Sequence, residues 1–120
     1  MNLLLSLIIA LIIVLHIYFI WLEMFAWTTH GKKAFKGLPA DMFEKTKAMA
    51  ANQGLYNGFL VAGLIWSFLI EDIQWSENIA IFFLGCIAVA GIYGALTVQR
   101  SIFYIQGLPA IIAIVLLLTN

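Results

Sequence analysis

The sequence has few charged residues. Of its 120 residues, six are basic and six are acidic, so charged side chains make up 10% and the formal net charge is zero. Water-soluble domains carry about a quarter of their residues as charges, and a mean hydropathy of +1.05 leaves too little polar surface for one. A neutral chain also has no electrostatic basis for binding nucleic acid. These absences favour a membrane protein.

Cysteine is also scarce. Because Cys86 is the single cysteine, the chain cannot form an intramolecular disulfide or a zinc site with two or more cysteines, and we predict no metal site. The N-terminus lacks the basic residues that open a signal peptide, and its apolar run extends beyond the about 7–15 residues of a signal sequence. We interpret this run as a retained membrane span.

Four long apolar runs follow one another along the chain, and a helix needs about 20 such residues to cross a bilayer. The runs do not alternate in polarity as the strands of a membrane β-barrel would. The sequence therefore predicts an all-α integral membrane four-helix bundle, formed by a single domain of residues 1–120. The predicted spans cover about residues 3–27, 48–70, 79–98 and 102–118.

Basic residues fall in only two of the connecting loops. The loop of residues 28–47 holds five lysines, Arg100 lies between spans three and four, and the loop between spans two and three is acidic. Cytoplasmic loops carry the excess of Lys and Arg, so we predict a multi-pass protein of the bacterial inner membrane with both basic loops in the cytoplasm and both termini outside. Asp41 and Glu44 resemble a capping box and predict a short interfacial helix in the first loop.

Two spans carry small residues at every fourth position, which places them on one helical face and allows close helix packing. We predict that these two spans pack tightly on one another. In span four, Pro109 removes a backbone hydrogen bond and predicts a kink near Ile105. The small residues are Ala50, Gly54, Gly58 and Ala62 in span two, and Cys86, Ala90 and Gly94 in span three.

Span one contains two ionisable side chains, His16 and Glu23, seven residues apart on one face. Such groups are costly at membrane depth and are therefore candidates for function. For His16, a neutral imidazole bonded to a neighbouring helix is favoured over a proton relay or a haem or metal ligand. For Glu23, an ion pair with Lys47 or Arg100 competes with an acid/base role or the binding of a ligand cation.

Further polar side chains cluster where span two begins and around the turn between spans three and four. Polar groups that converge from several helices are typical of a bundle site, so we predict a ligand-binding pocket near the cytoplasmic leaflet. Glu23, Arg100 and Tyr104 are its catalytic candidates. The predicted lining is His16, Glu23, Asn52, Gln53, Tyr56, Asn57, Tyr93, Arg100, Tyr104 and Gln106.

Several stretches resemble a small family of bacterial four-span membrane proteins known mainly as a domain of unknown function. The resemblance covers nearly the whole chain and implies no activity. It is carried by Leu15-His-Ile-Tyr, Leu22-Glu-Met-Phe, the run Ala50–Leu60 and the run Ala90–Val98.

The chain more remotely resembles the MAPEG family, the membrane-associated proteins of eicosanoid and glutathione metabolism. Asn52 and Tyr56 fit the spacing in that family's second span, with Lys47 as a basic counterpart. Tyr104-Ile-Gln-Gly fits the start of its fourth span. The resemblance implies a four-helix bundle, a homotrimer with a pocket between protomers, and an enzyme that acts on lipophilic substrates.

The sequence departs from the MAPEG pattern where that family binds glutathione. The family's glutamate position falls on Leu55, and its glutathione-binding arginines have no counterpart beyond Arg100. A site that stabilises a thiolate needs positive charge nearby, so tight binding of glutathione is not expected. Three classes of function stay open: a membrane enzyme, a structural or partner-binding membrane protein, and a small proton-coupled carrier that uses His16 and Glu23.

Overall fold

The computed structural model describes residues 1–119 and leaves Asn120 outside the description. Over the described residues the chain consists of helices and connecting turns without a strand, which confirms the all-α prediction. The elements are α1 (Leu3–Phe25), α2 (His30–Ala34), α3 (Ala40–Lys45), α4 (Lys47–Leu69), α5 (Ile73–Thr97), a π-helical segment (Phe103–Gly107) and α6 (Leu108–Thr119).

The helix boundaries lie close to the predicted spans except at the start of α5. That helix begins at Ile73 rather than at residue 79. The Asp72 carboxylate accepts a hydrogen bond of 2.9 Å from the backbone N–H of Trp75, which is the usual stabilising contact of an N-cap residue. The acidic turn before α5 therefore starts the helix earlier than hydropathy alone predicts.

Among the described residues, α1 and α5 are the two helices long and apolar enough to cross a membrane by length and composition. Helix α4 has 23 residues, the same length as α1, but its first half contains Asn52, Gln53 and Asn57. These amides lower its hydropathy. The π-helical segment and α6 together form a shorter apolar helix, Phe103–Thr119.

The loop between α1 and α4 contains α2, which was not predicted, and α3, which confirms the predicted short helix. The predicted capping box is wrong. Helix α3 begins at Ala40 after an extended Pro39 with a ψ of 142°, and no side chain caps it. Asp41 therefore lies inside the first turn, where its carboxylate pairs with the Lys45 ammonium at 3.4 Å.

The described chain forms two compact units. The central unit is Leu15–Val61, and the flanking unit is Met1–Val14 together with the described residues from Ala62 onward. The central unit contains most of α1, both loop helices and the first half of α4. The flanking unit contains the second half of α4, α5, the π-helical segment and α6.

In the flanking unit, Gly91 and Gly94 of α5 face the last helix. A Cβ atom on Gly91 would lie only 2.5 Å from the Cα atom of Gly107, so the two backbones are in direct contact. A Cβ atom on Gly94 would lie 2.9 Å from Cγ2 of Ile102. Of the predicted row, Gly94 thus packs on the last helix rather than on α4, because a row of small residues does not specify which helix approaches it.

Helices α4 and α5 meet in the flanking unit through other residues. The Phe83 ring covers Gly63 so closely that a Cβ atom there would overlap it. The Ser76 hydroxyl donates a 2.6 Å hydrogen bond to the carbonyl of Ser67, which is fully buried. This bond joins the two helices beside the turn that connects them.

The predicted irregularity in the last helix takes the form of a π turn. The backbone N–H of Leu108 donates to the carbonyl of Phe103, five residues earlier. Pro109 has no N–H with which to bond the carbonyl of Ile105, so the regular α-helical pattern is interrupted at this point. Proline accounts for the position of the π-helical segment, and the contact of Gly91 with Gly107 lies at its end.

Candidate functional site

A carboxylate and an amide meet inside the central unit. Nδ2 of Asn57, on α4, donates a hydrogen bond of 2.5 Å to Oε1 of Glu23, on α1. Asn57 is 7% exposed and Glu23 is half-buried. Both are predicted site residues, and the structure brings them into direct contact. We call this pair the Glu23–Asn57 site.

Gly54 allows α4 to come close to α1 at this site. It lies one helical turn before Asn57, and a Cβ atom there would be 2.5 Å from Cγ of Met24 and 3.2 Å from Cβ of Glu23. Gly58 is less crowded, since its nearest neighbour is Cδ1 of Ile20 at 4.0 Å. The predicted close approach along the small residues of α4 therefore occurs, but its partner is α1.

The site keeps free capacity for accepting hydrogen bonds. An ionised carboxylate has about four lone-pair positions and an amide oxygen has two, and the bond from Asn57 occupies one position on Glu23. The apolar side chains of Met24 and Ile20 lie against Gly54 and Gly58, the glycines on either side of Asn57 in α4. Such a site can accept a proton, an ammonium group or a hydroxyl donor, and the hydrogen-bond partner of Glu23 within its unit is Asn57 rather than the predicted Lys47.

The other polar residues of the predicted span-two cluster do not join this site. Asn52, Gln53 and Tyr56 are exposed. The Asn52 amide donates to the carbonyl of Ala48 in its own helix at 2.9 Å, and the Tyr56 ring packs edge-on against Phe59 with centroids 5.7 Å apart. Of the four side chains only Asn57 is buried in the unit, and a pocket lined by all four stays a prediction.

His16 is buried in the central unit with 1% of its surface exposed. Its ring lies edge-on to Phe19, with centroids 5.1 Å apart. The ring is thus enclosed by protein, and its bond to a neighbouring helix stays a prediction. Its role as a proton relay or haem ligand stays a prediction.

The remaining predicted site residues belong to the flanking unit. Tyr93, Arg100 and Tyr104 are exposed there, and Gln106 is half-buried in the π-helical segment. The Tyr104 ring contacts the Phe103 ring edge-on at 5.5 Å. Their participation in a common pocket with Glu23 stays a prediction.

The sequence did not predict an aromatic cluster that folds the loop between α1 and α4. The Trp27 ring lies 5.3 Å from the Phe35 ring and 5.1 Å from the Phe43 ring, measured between centroids. Its Nε1–H donates to the Thr46 hydroxyl at 3.0 Å, and Gly31 packs against its face. We call these five residues the Trp27 cluster. The spacing of Trp27, Phe35 and Phe43 along the loop is the signal in the sequence that points to this cluster.

Comparison with known proteins identifies a family but no activity. The family described as a protein of unknown function, DUF1304, matches residues 10–118. The chain is 30% identical over 114 residues to the uncharacterized protein YpaA of Lactococcus lactis subsp. lactis strain IL1403, an alignment that covers 92% of this chain and 94% of that protein. No solved structure matches the chain. The predicted resemblance to a family of unknown function is confirmed, and the MAPEG resemblance stays a prediction.

Proposed function

The chain belongs to the DUF1304 family of proteins of unknown function, and we propose that it is a four-span protein of the cell membrane that binds an amphiphile with a cationic head at the Glu23–Asn57 site. The observation that carries this proposal is the hydrogen bond of 2.5 Å between Asn57 and Glu23, two polar side chains on neighbouring, largely apolar helices. An ionisable side chain in such a setting is a candidate for function rather than for anchoring.

The exposed surface of α1 supports the membrane assignment. Its large apolar side chains are exposed along one stripe that runs the length of the helix, while Leu5, Ile9 and Ile12 are buried on the other side. A stripe of this size is unfavourable in water and favourable against lipid. The exposed residues are Leu4, Leu7, Leu11, Val14, Tyr18, Trp21 and Phe25.

The proposal assigns α4 and the last helix to the membrane together with α1 and α5. With its 23 residues, α4 is long enough to cross a bilayer at about 1.5 Å per residue. Its buried Asn57 bonds within the protein, so this amide is not left unsatisfied in lipid. The four lysines of the loop between α1 and α4 then face the cytoplasm together with Lys47 at the start of α4 and with Arg100, and both termini lie outside.

A cationic head is the ligand chemistry that the Glu23–Asn57 site fits best. The site offers oxygen acceptors on Glu23 and Asn57, and Glu23 adds one negative charge when it is ionised. An ammonium group would provide both hydrogen-bond donors and the compensating charge that a carboxylate needs in a medium of low dielectric constant. The apolar tail of an amphiphile would remain in contact with the lipid-facing helices.

Other functions would use the same residues differently. A MAPEG-like enzyme that activates a thiol needs positive charge beside the sulfur, whereas this site supplies a carboxylate. A proton-coupled carrier would use Glu23 as its exchanging group. A purely structural protein would need only the close packing at Gly54 and Gly91. The predicted trimer stays part of the proposal, and native mass spectrometry of the purified protein measures it directly.

The test compares three probes that share an eight-carbon tail: octylamine, octanol and octanoate. The full chain is reconstituted in nanodiscs, and its thermal unfolding is followed with each probe at neutral pH. We expect octylamine to raise the Tm by about 5 °C, octanol to raise it less, and octanoate to have no stabilising effect.

Two matched variants distinguish binding at the Glu23–Asn57 site from a general effect of surface charge. Glu23→Gln retains the hydrogen-bond acceptor but removes the charge, so it should lose the response to octylamine. Glu44→Gln removes an exposed carboxylate from the same unit and should retain that response. Equal stabilisation of wild type and Glu23→Gln, or equal effects of octylamine and octanoate, would overturn the proposal. A response to glutathione instead would favour the MAPEG-like enzyme.

A further inference from the structure

The positive charge of the loop between α1 and α4 is concentrated in one part of it. No acidic residue occurs in the sequence between Glu23 and Asp41, and Lys32, Lys33 and Lys36 in that interval are all exposed. In the later part of the loop, Asp41 pairs with Lys45 at 3.4 Å. The first three lysines therefore form a patch of uncompensated positive charge, which we call the lysine patch.

The lysine patch is attached to a folded segment. Lys32 and Lys33 lie in the last turn of α2, and Lys36 follows two residues after the end of that helix. The Trp27 cluster holds this segment: Phe43 is 1% exposed, and Trp27 bonds to Thr46 at 3.0 Å. A ligand that binds the patch thus loses less free energy to ordering of the backbone than it would on a flexible loop.

The start of α2 also lies back alongside α1. The His30 ring packs on the Trp21 ring with centroids 4.9 Å apart. Trp21 is one helical turn before the end of α1 at Phe25. If α1 crosses the bilayer, this contact holds α2 near the level of the last turn of the span, where tryptophan usually contacts the headgroup region. The lysine patch is then at the depth of lipid phosphates.

We propose that the lysine patch is a binding site for the phosphate groups of anionic phospholipids in the cytoplasmic leaflet. The proposal rests on the membrane topology proposed above and is independent of the Glu23–Asn57 site. Lysine ammonium groups form charge-assisted hydrogen bonds with phosphate oxygens. An anionic phospholipid carries net negative charge, whereas the choline group of phosphatidylcholine offsets its phosphate. The patch should therefore prefer phosphatidylglycerol over phosphatidylcholine.

The experiment measures which lipids remain bound to the full chain. The protein is taken from nanodiscs made of an equimolar mixture of phosphatidylglycerol and phosphatidylcholine, and native mass spectrometry counts the retained lipids. Wild type should retain phosphatidylglycerol with a preference of at least about tenfold, since each lysine near an anionic surface contributes about a fivefold gain in affinity and the three lysines together up to about a hundredfold. Lys32→Gln/Lys33→Gln should lose most of this preference.

A second double variant provides the matched control. Lys45→Gln/Lys47→Gln removes the same charge from the same loop but leaves the lysine patch intact, and it should keep the preference of wild type. Lys32→Arg/Lys33→Arg retains both charges and should also keep it, which distinguishes loss of binding from misfolding. Equal losses in the two glutamine variants, or equal retention of both lipids by wild type, would overturn the proposal.

A soluble competitor distinguishes a membrane lipid from a free phosphate ester. Glycerol phosphate has the same phosphate chemistry but no acyl chains, and we expect it not to displace phosphatidylglycerol at millimolar concentration. Displacement would contradict the assignment to lipid. The number of retained lipids does not depend on which side of the membrane the loop faces. A wrong topology would instead be detected by labelling the loops from each side of the membrane.

Discussion

At the scale of single residues, the bond between Glu23 and Asn57 is the contact that distinguishes this chain from a plain membrane anchor. Both residues could be predicted as site residues, because polar groups in apolar spans are exceptional. Their pairing could not be predicted, since 34 positions separate them and the rotation of two helices decides which side chains meet. Gln53 shows the same limit: it lies one turn before Asn57 on α4, yet it is exposed.

A double-mutant cycle should detect the contribution of this bond. Glu23→Ala and Asn57→Ala, made singly and together, are expected to show a coupling free energy of about 1 kcal/mol, the size typical of hydrogen bonds between membrane helices. The free energy of unfolding is measured by titration of mixed micelles with a denaturing detergent. Gln53→Ala, which removes an exposed amide from the same helix, should change it by less than about 0.5 kcal/mol. Strictly additive effects of the two single variants would show that the pair does not interact.

At the scale of helices, the sequence predicted which segments are helical better than it predicted which helices pack on one another. Local sequence patterns predict the helices at the long apolar runs, the short helix in the loop and the irregularity before Pro109. The small residues of α4 and α5 indicated close packing, but Gly54 packs on α1 and Gly91 on Gly107. A glycine shows only that some backbone or side chain approaches closely. The helix that approaches a given glycine is determined by the loops that connect the helices and by all their other contacts.

The contact between Gly91 and Gly107 should be sensitive to a single methyl group. Gly91→Ala would place a Cβ atom against the Gly107 backbone, which cannot rotate away, so we expect a loss of about 2–3 kcal/mol in the free energy of unfolding. Gly85→Ala on the same helix meets no atom within 4 Å and should be neutral or stabilising by up to about 1 kcal/mol. Unfolding measurements on both variants test this difference. Equal effects would mean that the backbones are not in contact.

The Trp27 cluster should protect the loop between α1 and α4 from proteolysis. Trp27→Ala removes two ring contacts and the hydrogen bond to Thr46, so trypsin should cleave at Lys32, Lys33 and Lys36 at least about tenfold faster. Phe25→Ala removes a nearby aromatic ring that is 76% exposed and should leave the rate unchanged. Rapid cleavage of wild type at the same sites would contradict a folded loop.

At the scale of the whole molecule, composition and loop charges predict a helical membrane protein, of which the helices are confirmed and the membrane crossing stays a prediction. They could not predict the two compact units or the folding of the loop, which depend on contacts between residues far apart in sequence. Helix α4 shows why hydropathy alone is incomplete. The amides Asn52, Gln53 and Asn57 keep the hydropathy of α4 below that of a typical span. Asn57 nevertheless supplies the polar contact on which the proposed function depends.

The passage of α4 through the membrane is therefore the point to measure. In a Cys86→Ala background, single cysteines are introduced at Gly37, where a Cβ atom would meet nothing within 4 Å, and at Glu71, exposed in the turn between α4 and α5. A membrane-impermeant maleimide is added to spheroplasts and to inside-out vesicles. We predict that Gly37→Cys is labelled only in inside-out vesicles and Glu71→Cys only in spheroplasts. Labelling of both positions from the same side would contradict the four-span membrane protein.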